Sequence, residues 1–192
     1  MMDTNHYIQK EKTVETMEKL YEKAKEQNLT QRHGDRRIQE ACLKIAARKN
    51  QEMVKNIQDL EHYNRRGLDK SVRAISRKLD AYPPQYKPKV YLEQFKQSVE
   101  PEILEKAEEI LEQAENIQEL VGRSTTAQAA AAVYIAAVLT DNYMPNDEIV
   151  EIGDVSEPTL RKTYRTMIEE LDLVDEILDK HPYPTRTRWS NK

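Results

Sequence analysis

Apolar residues recur at three- and four-residue steps along most of this chain, a spacing that predicts amphipathic helices. Val14, Met17, Leu20, Tyr21 and Ala24 form one stripe over residues 13–27. Residues 28–35, which include Gly34, read as a loop. Ile38, Ala41, Cys42, Ile45 and Ala46 line a second helix over 36–49. A short helix at 56–61 carries Ile57 and Leu60, and a basic helix follows over 68–79.

The periodicity then breaks at Ala81-Tyr82-Pro83-Pro84-Gln85-Tyr86-Lys87-Pro88. Proline lacks an amide donor and restricts the residue before it, so these prolines cannot continue a helix. They predict a linker at 81–88. A short helix at 89–97 precedes a long one that starts at Pro101, a residue suited to a first helical turn. Ile103, Leu104, Ala107, Ile110, Leu111, Ala114 and Ile117 hold its register. Its other face is acidic, with Glu102, Glu105, Glu109 and Glu112 among others, and reads as solvated. Gly122 is expected to stop it, and Thr125 or Thr126 to cap the next helix. Residues 127–138 have almost no polar face, so that helix must be covered on all sides.

The chain compares with itself at two places. Ala41-Cys42-Leu43-Lys44-Ile45-Ala46-Ala47 lies against Ala131-Ala132-Val133-Tyr134-Ile135-Ala136-Ala137, a shift of 90 residues. Leu68-Asp69-Lys70-Ser71-Val72-Arg73 lies against Leu160-Arg161-Lys162-Thr163-Tyr164-Arg165, a shift of 92. A nearly constant shift with the same helix order predicts duplication. The resulting organisation is a flexible N-terminus at 1–12, a first repeat at 13–80, the linker at 81–88, a second repeat at 89–174 and a tail at 175–192.

Residues 146–152 predict a short helix opened by Pro145 and capped by Asn146. Gly153-Asp154-Val155 reads as a tight turn, and Ser156 as the cap of a helix over 157–171 with Pro158 in its first turn. Helix, short turn with glycine, helix is the helix-turn-helix pattern. In that motif the start of the second helix meets base edges in the major groove. Glu157, Thr159, Arg161, Lys162 and Arg165 are the outward residues there. Arg161 has the fork that reads guanine, and Lys162 and Arg165 suit phosphates. An ordinary helical pair with a solvated charged face fits the same pattern.

Charge changes this picture locally rather than globally. The net charge is −4, which argues against a general nucleic-acid binder, although averages hide patches. Arg65, Arg66, Lys70, Arg73, Arg77 and Lys78 cluster against Asp69 alone, and Arg186, Arg188 and Lys192 make the tail basic. Such patches suit phosphates. The one cysteine, Cys42, can make no internal disulfide and reads as a small buried hydrophobe. The histidines lack ligand spacing, so no metal and no cofactor is expected. Gly-rich phosphate loops and nucleophile elbows are missing, which predicts a protein that is not an enzyme. No stretch is apolar enough to span a bilayer and the first residues lack a signal-peptide core, so a cytoplasmic location and no membrane partner are expected.

Several of these segments together resemble the cyclin-like core of archaeal transcription factor B, the relative of eukaryotic transcription factor IIB. In the second repeat they are Gly122-Arg123-Ser124, the Ala-rich run to Ala137, Asp147-Glu148-Ile149 and the stretch from Val155 to Arg165. Lys87-Pro88-Lys89-Val90-Tyr91 looks like the segment entering that repeat. Tyr21-Glu22-Lys23-Ala24, the run Ala41 to Arg48 and the run Val72 to Leu79 resemble the first repeat. The resemblance implies an all-α protein of two cyclin-like repeats, the first truncated, with the helix-turn-helix in the second. It implies DNA contacts by Ser156, Thr159, Arg161, Lys162 and Arg165, and by Arg123 and Ser124 in their loop, with the loop near Arg32 and Gly34 also close to the complex. The implied partners are promoter DNA and TATA-binding protein, with RNA polymerase machinery engaged only indirectly, because the zinc ribbon and reader segment typical of the family are not recognised. The implied role is modulation of transcription initiation at the nucleoid. A cyclin-fold module for protein partners and a stand-alone helix-turn-helix regulator remain the alternatives. The chain departs from the family pattern at Pro158 and at Asp154, where valine and glycine are common.

Overall fold

The computed structural model describes residues 11–53 and 57–180, with the side chains of 57–65 left out. Residues 1–10 of the expected N-terminal segment, and Arg186, Arg188 and Lys192 of the tail, lie outside the described residues. All regular elements among the described residues are helical, so the protein is all-α. The chain divides into two compact units between Tyr86 and Lys87.

The first unit contains α1 (Glu11–Glu26), α2 (Leu29–His33), α3 (Asp35–Lys49) and α4 (Ile57–Leu79). Helix α3 lies at its centre, packed by α1, α2 and α4, and every residue from Ala41 to Lys44 and on to Ala47 is buried. Met17, Leu20 and Ala24 of α1 and Leu68, Val72 and Ile75 of α4 close over it. Two sequence expectations change here. The expected loop at 28–35 contains the short helix α2, because burying Leu29 anchors it. The helices expected at 56–61 and 68–79 are one helix, α4. Gly67 inside it costs about 1 kcal/mol of helix propensity, a loss that packing of Leu68, Val72 and Ile75 outweighs.

The second unit begins with a 3₁₀ helix, Pro88–Phe95, followed by α5 (Pro101–Gln113), α6 (Thr125–Leu139), α7 (Asn146–Gly153), α8 (Glu157–Glu170) and α9 (Val174–Lys180). Helix α6 has no polar face, and Ala129 through Leu139 are all buried. Its alanines admit close neighbours, and α5, α7, α8, α9 and the 3₁₀ helix all pack on it. The α5 helix stops earlier than its apolar register predicts. Ala114–Asn116 tightens into 3₁₀ and Ile117 turns extended at φ −73°, ψ 116°, well before Gly122. Ile117 still packs against the core, so its apolar spacing was real although its backbone is not α-helical.

Five of the helices, α3, α4, α6, α7 and α8, end by a shared device. Gln51, Asp80, Asp141, Asp154 and Asp172 sit in the left-handed region, at φ 53°, 48°, 59°, 47° and 56°. Each is followed by an amide that reaches back five residues: Glu52 to Ala47, Ala81 to Ser76, Asn142 to Ala137, Val155 to Val150 and Leu173 to Ile168. This is the Schellman closure, which glycine usually serves because it bears no Cβ. Aspartate tolerates the region better than most residues, so a chain with 4 glycines can end its helices sharply.

The two units share this framework residue by residue. The bonds Glu52 N–H to Ala47 O and Asn142 N–H to Ala137 O are both 2.9 Å long and differ by the 90-residue shift. The α4 and α8 closures, at Asp80 and Asp172, differ by the 92-residue shift. Leu68, Ser71, Val72, Ile75 and Ser76 are buried, as are Leu160, Thr163, Tyr164, Met167 and Ile168 at the same shift.

Candidate DNA-binding face

The face is built on α7 and α8. Pro145, extended at φ −61°, ψ 144°, precedes α7, so Asn146 is its first residue and not its cap. Gly153 is also reassigned. It is the last residue of α7 and lies against α6, where an added Cβ would meet Ala130 Cβ at 3.1 Å and Phe95 Cζ at 3.4 Å. The left-handed turn residue is Asp154. Glycine is therefore needed one place earlier than a turn would ask, for close approach rather than for backbone freedom.

Ser156 caps α8, its hydroxyl accepting from the Thr159 amide at 3.4 Å and lying 2.7 Å from the Thr159 hydroxyl. Pro158 occupies the first turn, where no amide partner is lost. Leu160, Thr163, Tyr164, Met167 and Ile168 form the buried side of α8. Tyr164 stacks on Tyr134 of α6, with ring centroids 4.2 Å apart and planes 21° from parallel. Burial is the main reason the Tyr134 hydroxyl is pushed far above its ordinary pKa. This stack fixes how α8 is rotated about its own axis.

With that rotation set, Ser156, Thr159, Arg161 and Lys162 are exposed and Arg165 is half-buried. Arg161 forms an ion pair with Glu157 through Nη2 and Oε1, with about half of each side chain exposed at 47% and 52%. An exposed pair of this kind is worth roughly 0.3–0.5 kcal/mol, so it aligns the guanidinium with the helix start yet yields readily to a better acceptor. Arg123 is held more firmly. Its Nε donates to Glu119 O at 2.8 Å and its Nη2 to Thr166 Oγ1 at 3.0 Å. Thr166 in turn donates to Lys162 O, so the Gly122-Arg123-Ser124 loop is tied to α8 one turn beyond Lys162. Gly122 makes that loop possible at φ 80° with open space about it. Ser124 is exposed and its hydroxyl pairs with that of Thr126.

Six of the seven expected site residues therefore lie on α8 or are bonded to it. Ser124 follows Arg123 directly in the loop. The Arg123–Thr166 bond spans 43 residues and could not be read from local spacing. The basic cluster expected from the sequence on α4 lines a groove in the first unit, with Arg66, Asp69, Lys70, Arg73 and Arg77 on one side and His33 of α2 bordering it, a neighbour that local spacing did not show.

The acidic residues Glu102, Glu105, Glu109 and Glu112 of α5 are exposed. Among the described residues no group of three or more His, Cys, Asp or Glu side chains is placed to hold a metal ion. Cys42 is buried, and desolvation pushes its thiol up to about 12. No helix of the described residues is long and apolar enough to cross a membrane.

Residues 84–170 match the model of the transcription factor TFIIB repeat, a cyclin-like helical fold. The chain is 30% identical over 163 residues to transcription initiation factor IIB of Methanosarcina mazei, covering 83% of this chain and 48% of that protein. It is 29% identical over 163 residues to the factor of Archaeoglobus fulgidus, covering 83% and 50%. With that of Saccharolobus shibatae it shares 26% over 159 residues, covering 80% and 52%. The chain spans about half the length of the curated relatives it matches. The repeat match, set beside these similarities across four fifths of this chain, supports the transcription factor IIB family.

Proposed function

We propose that this protein takes part in transcription initiation by gripping promoter DNA with the start of α8. The supporting observation is the exposed row of Thr159, Arg161 and Lys162 behind the Ser156 cap, with Arg123 bonded alongside. The buried stack of Tyr164 on Tyr134 keeps that row turned outward. In this reading Arg161 exchanges Glu157 for a guanine edge, while Lys162, Arg165 and Arg123 hold phosphates. Ser156 and Thr159 add hydroxyl contacts, and Ser124 meets the backbone from the loop. TATA-binding protein is the protein partner, RNA polymerase is reached only indirectly, and the working place is the nucleoid within the cytoplasm. The chain modulates initiation by a binding role and needs no catalytic group.

A gel-shift titration at fixed salt tests the proposal, using duplexes with and without a TATA element, each with and without TATA-binding protein. The expected result is a complex with the TATA-bearing duplex that TATA-binding protein strengthens. Arg161→Ala should cost about 1–3 kcal/mol, roughly 5- to 150-fold in affinity, and relax sequence preference. Absence of a complex under every condition refutes the proposal. A complex indifferent to Arg161→Ala favours the protein-interaction module, and tight binding to DNA alone as a dimer favours the stand-alone regulator.

A further inference from the structure

We propose that Tyr143, exposed at the entrance to α7, is a further base-reading residue of the α8 face, its ring packing on the 5-methyl group of a thymine near the guanine taken by Arg161. This inference rests on the proposed function of α8.

Tyr143 follows the closure of α6, where Asn142 N–H reaches Ala137 O at 2.9 Å. It lies in the irregular segment 142–145 that leads into α7. Its neighbour Met144 is buried in the core of the second unit. Pro145 comes next, extended at φ −61°, ψ 144°, and a proline biases the residue before it toward extended backbone as well. Successive side chains of an extended segment point to opposite sides. Met144 facing inward therefore turns Tyr143 outward, and Tyr143 is 64% exposed. The shared framework does not require this. At the 90-residue shift the first unit carries Met53, which is half-buried.

Tyr143 belongs to the same patch as Arg161. The Tyr134 hydroxyl is raised in pKa chiefly by burial, and beyond that Tyr164 and Tyr143 raise it while Arg161 lowers it. Such influences weaken with distance, so Tyr143 and Arg161 both stand near this one hydroxyl. It is carried by the ring that stacks on Tyr164 and sets the rotation of α8. An exposed aromatic ring thus accompanies the guanidinium at the start of the helix.

The chemistry of the pair selects its ligand. A neutral phenol adds little to the hold on phosphates, and the exposed Asp147 and Glu148 in the first turn of α7 disfavour a phosphate at this end. What Tyr143 offers is apolar area. In the major groove thymine presents its 5-methyl to apolar side chains, and guanine presents the O6 and N7 acceptors that suit an arginine fork. Arg161 and Tyr143 together fit a guanine with a thymine close by.

The experiment titrates the full chain, with TATA-binding protein present, against TATA-bearing duplexes in which thymines outside the TATA element are replaced one at a time by deoxyuridine. Each replacement removes a methyl group and nothing else. Wild type should lose roughly fourfold in affinity at one position, the effect of burying one group of that size. Tyr143→Ala should bind the unreplaced duplex roughly fourfold more weakly, ignore the replacement at that position and keep the wild-type thermal melt. Tyr143→Phe, which retains the ring, should discriminate as wild type does. A Tyr143→Ala variant that still senses the methyl overturns the proposal, as does loss of discrimination in Tyr143→Phe. If Arg161→Ala weakens binding while no thymine position is sensed, the role of Tyr143 falls and the α8 reading stands. If no duplex is bound at all, both fall.

Discussion

Helices α3 and α4 of the first unit and α6 and α8 of the second use the same frame for different ends. Their caps fall at matching positions, and their buried faces match at shifts of 90 and 92 residues. At the centre they diverge. The first unit buries Lys44 against Asp69, an ion pair. The second places Tyr134 at the corresponding position, stacked on Tyr164, and Arg161 leaves for the surface to pair with Glu157. A buried cation demands its carboxylate, and so binds that side chain to the interior. A stacked aromatic makes no such demand, and the neighbouring arginine is released for external work. The difference between an inward acid and an outward base thus follows from what stands at one position of the central helix.

The strongest way to break this comparison is to import the lysine. Tyr134→Lys puts an ammonium into a buried site beside cationic Arg161, and should cost about 3–5 kcal/mol in urea unfolding. Adding Arg161→Asp should recover at least about 1 kcal/mol, as a copy of the Lys44–Asp69 pair. If the double variant is no more stable than the single, the two positions are not equivalent in space. In the first unit, Asp69→Ala should cost about 1–3 kcal/mol, less than a fully buried pair would because the Asp69 side chain is 36% exposed. Replacing both Lys44 and Asp69 by leucine should come closer to wild type than Asp69→Ala does.

The turn between α7 and α8 yields opposite signs at adjacent positions. Gly153→Ala forces a methyl against Ala130 and should destabilise by about 1–3 kcal/mol, seen as a lower melting temperature. Asp154→Gly relieves a left-handed residue and should be neutral or stabilising by up to about 1 kcal/mol. A stabilised Gly153→Ala would show that α7 can slide away from α6.

Cys42 gives a pH test, because Ala132 stands at its position in the second unit. Its thiol ordinarily ionises near 9 and is pushed up to about 12 by burial. The folded state therefore holds the proton more tightly. That stability is fully present below pH 9, falls as pH rises, and is gone by about pH 12. At pH 10 the loss should be about 1.4 kcal/mol relative to neutral pH. Cys42→Ala should remove that part of the pH dependence in denaturant titrations.

The smallest expected effect is on the α8 face. Glu157→Gln removes the acid that holds Arg161 and should raise affinity for promoter duplex two- to fivefold, about 0.4–1 kcal/mol, measured by fluorescence anisotropy. Weaker binding would mean that Glu157 positions Arg161 and does not restrain it.

Much of this fold was legible because its signals are local. The apolar stripes placed α1, α3, α5 and α6, and the lack of any polar face on 127–138 marked α6 as the covered helix. Ser156 with Pro158 marked the start of α8 by the chemistry of a first turn. The helix ends were harder to read. Glycine is the familiar sequence sign of a helix stop, whereas Asp80, Asp141, Asp154 and Asp172 close helices here. Aspartate occurs as readily on solvated helix faces, so only tertiary context separates the two uses. At the candidate site, the outward residues of α8 were legible from periodicity, and the bond from Arg123 to Thr166 was not, since it joins segments 43 residues apart.

Apolar spacing, proline placement and internal likeness determined from the sequence alone that this protein is helical, duplicated and, in its second repeat, centred on one apolar helix. Those features depend on residues within a turn or two of one another, where steric and hydrogen-bond rules act directly. Tertiary structure decided which glycine must remain small, which acid faces inward, and how α8 is rotated to present Arg161 and Lys162. These depend on the distance between helices far apart in the chain. A methyl that meets Ala130 at 3.1 Å and a carboxylate 3.0 Å from Lys44 exist only once the helices have packed.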